Sequence, residues 1–276
     1  LVLEPIGRSR LDIIEQVKLD DYLYGVLPRE MGSDWPIEAL KAQAVVSRTY
    51  VLANRAPDPN HGYDLASDVS AQVYGGIEDE APSALRAVDD TRGMILVDNQ
   101  GRPVQAFFHS SCGGQTEMPQ YVWNYTDTTA PFSSVKDTFC KDDPFAHWAI
   151  AVPVKTVQAR LRRAGFRISN ITAIKAAEKS PSGRVSKFLV TSSRGKARIG
   201  ANQLRLAIGP EVMRSTLLTN LRLEKKLIFF EGRGWGHGVG LCQWGARGRA
   251  LAGQNYDAIL KAYYPQAQLV HGDPAS

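Results

Sequence analysis

LDDYLYGVLPREMGSDWPIEALKAQAVVSRTY, residues 19–50, carries the clearest structural signal in the chain. Asp20 and Asp21 can cap a short helix through Tyr22, Leu23 and Val26. Pro28 is expected to stop it, because proline lacks the N–H that a helix interior needs. Ser33, Asp34 and Pro36 then open the strongest helix, Ile37 to Leu52, a run without Gly or Pro. Ile37, Leu40, Ala44, Ser47 and Val51 fall on one face, with small residues that permit close packing, while Glu38, Lys41 and Arg48 lie off it.

Outward from this helix pair the elements are shorter. Asp12–Lys18 reads as a strand, Pro57–Gly62 as a loop, and Gln72–Tyr74, Met94–Val97 and Val104–Phe108 as strands, with a helix over Pro82–Thr91. Ala130–Pro144 looks irregular. From residue 151 the pattern is a strand, a helix (Val154–Ala164), a strand (Ile171–Ala176) and a hairpin across Ser182-Gly183 into Lys187–Ser192. A helix near Gly200–Ile208, a strand near Leu221–Leu223 and a helix over Tyr256–Tyr264 follow. The class expected is α+β: mixed, mainly antiparallel sheets with packed helices. The organisation expected is one domain, with a main lobe of residues 1–150 and 222–276 and a small basic inserted lobe of residues 151–221.

A chain of 276 residues can bury a proper core, and 43% hydrophobic with 22% charged residues is ordinary for a globular protein. No apolar run approaches the ~18 residues that a membrane-spanning helix needs. The chain opens at Leu1 with neither a charged n-region nor an apolar h-region, a start compatible with an export or anchor segment upstream. The net charge of +5 is unevenly spread. Residues 151–210 hold thirteen Lys or Arg against one acid, Glu178, a net +12 that leaves −7 for the rest. Such a segment suits either an anionic partner or a solvated basic face, and no nucleic-acid-binding motif accompanies it.

Cys112, Cys140 and Cys242 lie far apart and form no CxxC pair, which argues against a zinc ribbon or a thioredoxin-like site. Gly232, Gly234, Gly236, Gly238 and Gly240 alternate with Arg233, Trp235, His237, Val239 and Leu241. As an extended strand this run would place the side chains on one face and the glycines on the other. Bare glycine backbone admits a ligand or a second strand at close range. A cation, an aromatic plate and an imidazole in a row suit a sugar polymer. Neither a dinucleotide fingerprint, a P-loop nor His-Glu-x-x-His occurs, which removes the common nucleotide-hydrolase and zinc-protease readings.

Three blocks, in order, resemble one family. They are Leu19–Tyr50, quoted above; FHSSCGGQT at Phe108–Thr116, followed by Val122-Trp123; and GRGWGHGVGLCQWGARGRALAGQNYDAILKAYYP at Gly232–Pro265. Together they resemble the stage II sporulation protein D (SpoIID) family, which includes proteins called amidase enhancers. The resemblance implies an exported, periplasmic or wall-facing protein, anchored to the membrane or not, that works on peptidoglycan glycan strands. It implies a lytic transglycosylase acting on stem-peptide-stripped glycan, or alternatively a glycan-binding enhancer of a cell-wall amidase, and it implies no nucleic acid.

By the same resemblance Glu30 is the acid, with Arg48 beside it as a second catalytic residue that orients Glu30 or holds a sugar substituent. Apolar neighbours around Glu30 would favour its protonated form, as an acid requires. Arg233, Trp235, His237 and Gln243, with His109, Ser110, Ser111, Gly113 and Gly114, are the implied substrate-binding residues. A Cys112–Cys140 disulfide is expected for an oxidising compartment, with no cofactor. Zinc, which some relatives hold with Cys and His, is the competing expectation at His109, Cys112, Cys140 and His147.

Overall fold

The computed structural model describes residues 1–6, 10–55, 62–67, 71–76, 81–123, 125–126 and 132–272. The loop expected at residues 57–62 lies almost wholly outside these residues, as does the start of the irregular stretch at Ala130. Among the described residues twelve strands form five small sheets, interleaved with helices, so the class is mixed α+β. The chain divides into two compact units. The first comprises Leu1–Ala106, Gln254–Ile259 and Ala267–Ser276, and the second Phe107–Gly253 and Leu260–Gln266.

The first unit opens with a hairpin, β1 (Val2–Ile6) against β2 (Arg10–Ile14). Three helices follow: α1 (Leu19–Glu30), α2 (Ile37–Asn54) and α3 (Pro82–Asp90). Strand β3 (Met94–Val97) pairs antiparallel with the chain's last strand, Gln268–His271. Leu23, Val26 and Leu27 of α1, Leu40 and Val45 of α2, Ala84 and Val88 of α3 and Leu96 of β3 are buried together as the core. Pro28 does not end α1. It stands inside the helix, whose last residue is Glu30, because only the final turn follows it and little of the hydrogen-bond ladder is lost.

The segment 71–76 was expected to contain a strand and does not. Its backbone bonds to α1 instead: Gly75 N–H donates to the Gly25 carbonyl and Val73 N–H to Glu30 Oε1, at 3.1 and 3.0 Å. Gly25 makes this approach possible, since a Cβ there would sit 2.7 Å from the Tyr74 ring and 3.0 Å from the Gly76 carbonyl oxygen.

The second unit begins with β4 (Phe108–His109) and β5 (Trp148–Pro153), then α4 (Val154–Arg163). A three-stranded meander follows, β6 (Ile171–Lys179), β7 (Val185–Ser192) and β8 (Gly195–Gly200), leading into α5 (Ala201–Ile208). Strands β9 (Leu218–Glu224) and β10 (Leu227–Gly232) join β5 in the order β5-β10-β9. Ile228 and Phe230 of β10 alternate inward, as a half-buried strand requires, and meet Val157, Leu161, Phe188, Ile199 and Leu204 in one apolar core. Short β11 (Leu241–Cys242) pairs in parallel with β4, and α6 (Gln243–Leu251) follows; the residues of α7 (Tyr256–Tyr263) are divided between the two units.

The alternating glycines do not form the extended strand expected of them. Beyond Gly232 the backbone turns left-handed at Gly234, Gly236, Gly238 and Gly240, with φ between 71° and 113°, so the simple two-face alternation is lost. The close approach that bare backbone permits is present. Ser111 and Trp235 exchange two backbone hydrogen bonds of 2.9 Å, and Leu241 N–H donates to the Phe107 carbonyl. A Cβ on Gly240, whose φ is +72°, would land on that same carbonyl oxygen.

Gly240→Ala therefore combines a left-handed backbone with a direct overlap, and is expected to destabilise the protein by about 3 kcal/mol or more. Chemical denaturation followed by circular dichroism measures this. An alanine variant within ~0.5 kcal/mol of wild type, the range of an ordinary surface change, would show that the contact is not restrictive.

Candidate functional site

Glu30 closes α1, where Val73 N–H donates to its Oε1 at 3.0 Å, so the carboxyl is oriented by backbone and half-buried. Tyr22, two turns earlier on the same helix, stacks on Tyr74 with ring centroids 5.1 Å apart. Burial pushes the Tyr22 hydroxyl up, and the negative charge of Glu30 adds to the shift, which puts the two groups in one electrostatic neighbourhood. The Tyr22 hydroxyl is buried without a hydrogen-bond partner among the described residues. Tyr22, Tyr63 and Tyr74, with Asp20, Arg48 and Arg92, line a cavity of about 1070 Å³. The tyrosines were not singled out in the sequence, since a Tyr in an apolar helix pattern reads first as core.

Arg48 is only 1% exposed and its guanidinium is committed. Nε and Nη2 donate to Asp20 Oδ1 at 3.1 and 2.9 Å, Nη1 to the Thr91 and Met94 carbonyls, and Nη2 also to the Val88 carbonyl. Glu30 is not among these partners. Arg48 therefore ties α2 to the start of α1 and to the corner between α3 and β3. A planar fork with five donors suits this role, where a lysine would serve one or two of the acceptors.

In the second unit the HSSCGG segment and the glycine run are laced together. The His109 and His237 rings lie 5.6 Å apart, and a Cβ on Gly113 would meet the Arg233 backbone at 3.0 Å. Both histidines are neutral. Burial, followed by nearby positive charge, pushes His237 down to about 3 and His109 well below its ordinary value. Val239 N–H donates to His237 Nδ1, and His109 Nδ1 faces the Val239 carbonyl, which can only accept. Trp235 has Phe145 edge-on at 4.6 Å and the Arg214 guanidinium at 5.1 Å, while Trp123 lies 4.9 Å from His237. Arg233 and Gly114 are exposed, Ser110 and Gly113 half-buried, and Ser111 buried. Gln243, first residue of α6, is buried with its amide nitrogen unpartnered among the described residues.

The cysteines correct the expectation in two ways. No disulfide joins Cys112, Cys140 or Cys242 in this structure, although Cys112 and Cys140 are neighbours with Sγ atoms 3.5 Å apart. Nor do His109, Cys112, Cys140 and His147 converge: His147 is exposed, and the His109 ring is turned to Val239. The donor group that does converge is Cys112, Asp137, Cys140 and Cys242, all buried, with one ligand atom from each inside 4.8 Å of the others. Asp137 and Cys242 were not expected there, because Cys112 stands 25 residues from the one and 130 from the other in the chain. Of the thirteen basic residues between 151 and 210, Arg184 and Arg205 are buried, so the exposed basic face is smaller than the count suggests.

Residues 7–97 match the family model described as stage II sporulation protein (SpoIID), and residues 115–240 match a domain of unknown function. The two matches fall one on each compact unit. An uncharacterized protein of Brachyspira hyodysenteriae is 31% identical, over 94% of this chain and 68% of its own length. The amidase enhancer of Bacillus subtilis is 30% identical over 90% of this chain, which spans 40% of that longer protein. Stage II sporulation protein D of Bacillus subtilis is 27% identical over 98% of this chain and 79% of its own.

Two outcomes follow from this geometry. Arg48→Met removes a buried cation together with its bonds to Asp20 and to the Val88, Thr91 and Met94 carbonyls, and is expected to cost about 2–3 kcal/mol, Arg92 Nη1 remaining 3.6 Å from Asp20 Oδ2. An Arg48→Met protein of wild-type stability in urea would show that the tie is dispensable. His237 titrates at about 3 when folded and near 6.5 when unfolded. Only the unfolded ring takes a proton in that window, so stability is full above about 6.5 and falls as pH drops toward about 3. His237→Gln should reduce that slope, His109 keeping its own share, and urea midpoints measured across the window decide it.

Proposed function

The chain belongs to the stage II sporulation protein D family, and on that premise we propose that it cleaves peptidoglycan glycan as a lytic transglycosylase. The substrate is the MurNAc–GlcNAc strand, preferably stripped of stem peptides. Action on such a polymer places the work outside the cytoplasm, with or without a membrane anchor. Among the described residues no helix is long and apolar enough to cross a membrane.

The observation that carries the reading is the setting of Glu30: a half-buried carboxyl oriented by the Val73 N–H, in the same neighbourhood as a stacked tyrosine pair. The backbone bond holds the carboxyl in one orientation, ready to meet a glycosidic oxygen, and aromatic faces suit the apolar faces of sugar rings. Ordinary glycosidases place two carboxylates about the scissile bond. One suffices here because the attacking hydroxyl belongs to the substrate. Protonated Glu30 donates to the glycosidic oxygen as the bond to C1 breaks. The resulting carboxylate then takes the proton of the muramic acid C6 hydroxyl as that oxygen bonds to C1. The proton count closes, no water is consumed, and the new end is a 1,6-anhydro sugar. Arg48 supports the acid indirectly, by fixing α2 against α1.

A second reading is favoured by one observation, the 30% identity to the amidase enhancer of Bacillus subtilis across 90% of this chain. There the protein would bind glycan and stimulate a separate amidase without cleaving anything itself.

Glu30→Gln separates the two. Gln keeps the shape and can still accept the Val73 N–H, but cannot shuttle a proton. Denuded and peptide-bearing glycan would be incubated with each protein and the products read by mass spectrometry. The expected result is anhydro-ended fragments from the wild type and a loss of rate of about 10²–10⁴ in the variant, toward the upper end because Glu30 acts twice. Reducing ends with full Glu30 dependence would indicate hydrolysis. Glycan binding by both proteins, no cleavage by either and faster turnover of an added amidase would establish the enhancer role.

A further inference from the structure

Cys112, Asp137, Cys140 and Cys242 come from three separate stretches: the HSSCGG segment, the irregular run 132–144, and the start of α6. The β4–β11 pairing brings Cys242 to Cys112, but no strand ladder carries Asp137 and Cys140 there, and free thiols offer each other little attraction. We propose that these four residues form a closed structural zinc site that staples the second unit together, and that it does so whether or not the protein cleaves glycan.

Distances, donors and charge each support the assignment. In a tetrahedral site with Zn–S bonds of about 2.3 Å the sulfurs stand about 3.8 Å apart. The Cys112 and Cys140 sulfurs are 3.5 Å apart, and Cys112 Sγ is 3.7 Å from Asp137 Oδ2. The sulfurs are also supplied with donors, as thiolates are: Cys112 N–H and Gly245 N–H point at Cys242 Sγ, at 3.2 and 3.3 Å, and Gly114 N–H at Cys112 Sγ, at 3.4 Å. The Asp137 carboxylate is oriented in turn by Tyr263 Oη at 2.6 Å and by Phe139 N–H at 3.1 Å. Ligands held this firmly by outer partners are usual for metal sites.

Zinc with three thiolates and one carboxylate carries two negative charges, and buried cations stand ready for them. Arg249 Nη2 is 3.6 Å from Asp137 Oδ1. Arg184, 1% exposed, donates from Nη2 to the Cys112 carbonyl, while its Nε and Nη1 have no hydrogen-bond partner among the described residues. A buried guanidinium with two idle nitrogens is costly unless anionic charge lies near. Glu117 supplies one such charge nearby, although its Oε2 already accepts from Ser180 and Ser182. Thiolate-rich donors select zinc over the harder divalent ions, and four protein donors leave no position for water or substrate, so the site is structural.

The test is the metal content of the full chain, expressed with zinc and purified without chelator. About one zinc per chain is expected by elemental analysis, together with a fall in melting temperature on chelation and recovery when zinc returns. Cobalt(II) in place of zinc should give thiolate-to-metal charge-transfer and tetrahedral d–d bands, weakened in Cys242→Ser. Three outcomes overturn the proposal. The first is a zinc-free chain with three titratable thiols. The second is a chain two hydrogens lighter by intact mass, with Cys112 and Cys140 joined as a disulfide. The third is one zinc that persists undiminished in both Cys112→Ser and Cys242→Ser. The wild-type measurement stands even if a variant fails to fold, and none of these readouts involves glycan cleavage.

Discussion

The second unit depends on how closely two pieces of backbone can lie. Residues 233–241 run against residues 107–113 at distances that exclude a Cβ on Gly234, Gly236 and Gly240. That contact gives the Ser111–Trp235 bridge and the parallel pairing of β4 with β11, and it brings Cys242 beneath the Cys112 N–H. The glycines are thus a condition for everything stacked on them: the His109–His237 pair, the thiol cluster and the seat of α6.

In the first unit the same logic operates on a helix. Gly25 lets residues 74–76 lie on α1, and through that contact the Val73 amide reaches Glu30. The carboxyl is therefore oriented by main chain, which cannot rotate away as a side-chain partner could. Arg48 contributes at a distance, through a buried ion pair and three carbonyl bonds that lock the helices in place.

Membership of a family whose relatives include both a sporulation protein and an amidase enhancer leaves chemistry to be decided by the site itself. In the proposed transglycosylase reaction one oriented carboxyl suffices, because the attacking hydroxyl belongs to the sugar. The basic stretch, which looked in the sequence like a broad anionic-partner surface, uses Arg184 and Arg205 internally and pairs Lys187 and Arg198 with Glu178.

What the sequence determined by itself was local or compositional. The Gly- and Pro-free run of α2, the strand at Met94–Val97 and the α4 and β7 segments follow from periodicity and turn residues, and so does the α+β class. Glu30 was legible only through its motif. Tertiary structure decided the rest. Whether Pro28 ends a helix depends on how many turns follow it, and whether residues 72–74 form a strand depends on which backbone lies beside them. The pairing of Arg48 with Asp20 bridges 28 residues. Cys242 meets Cys112 across 130 residues, and Asp137 receives the Tyr263 hydroxyl across 126. Spacing along a chain carries no information about such contacts, because they are fixed by the folding of segments that close packing alone brings side by side.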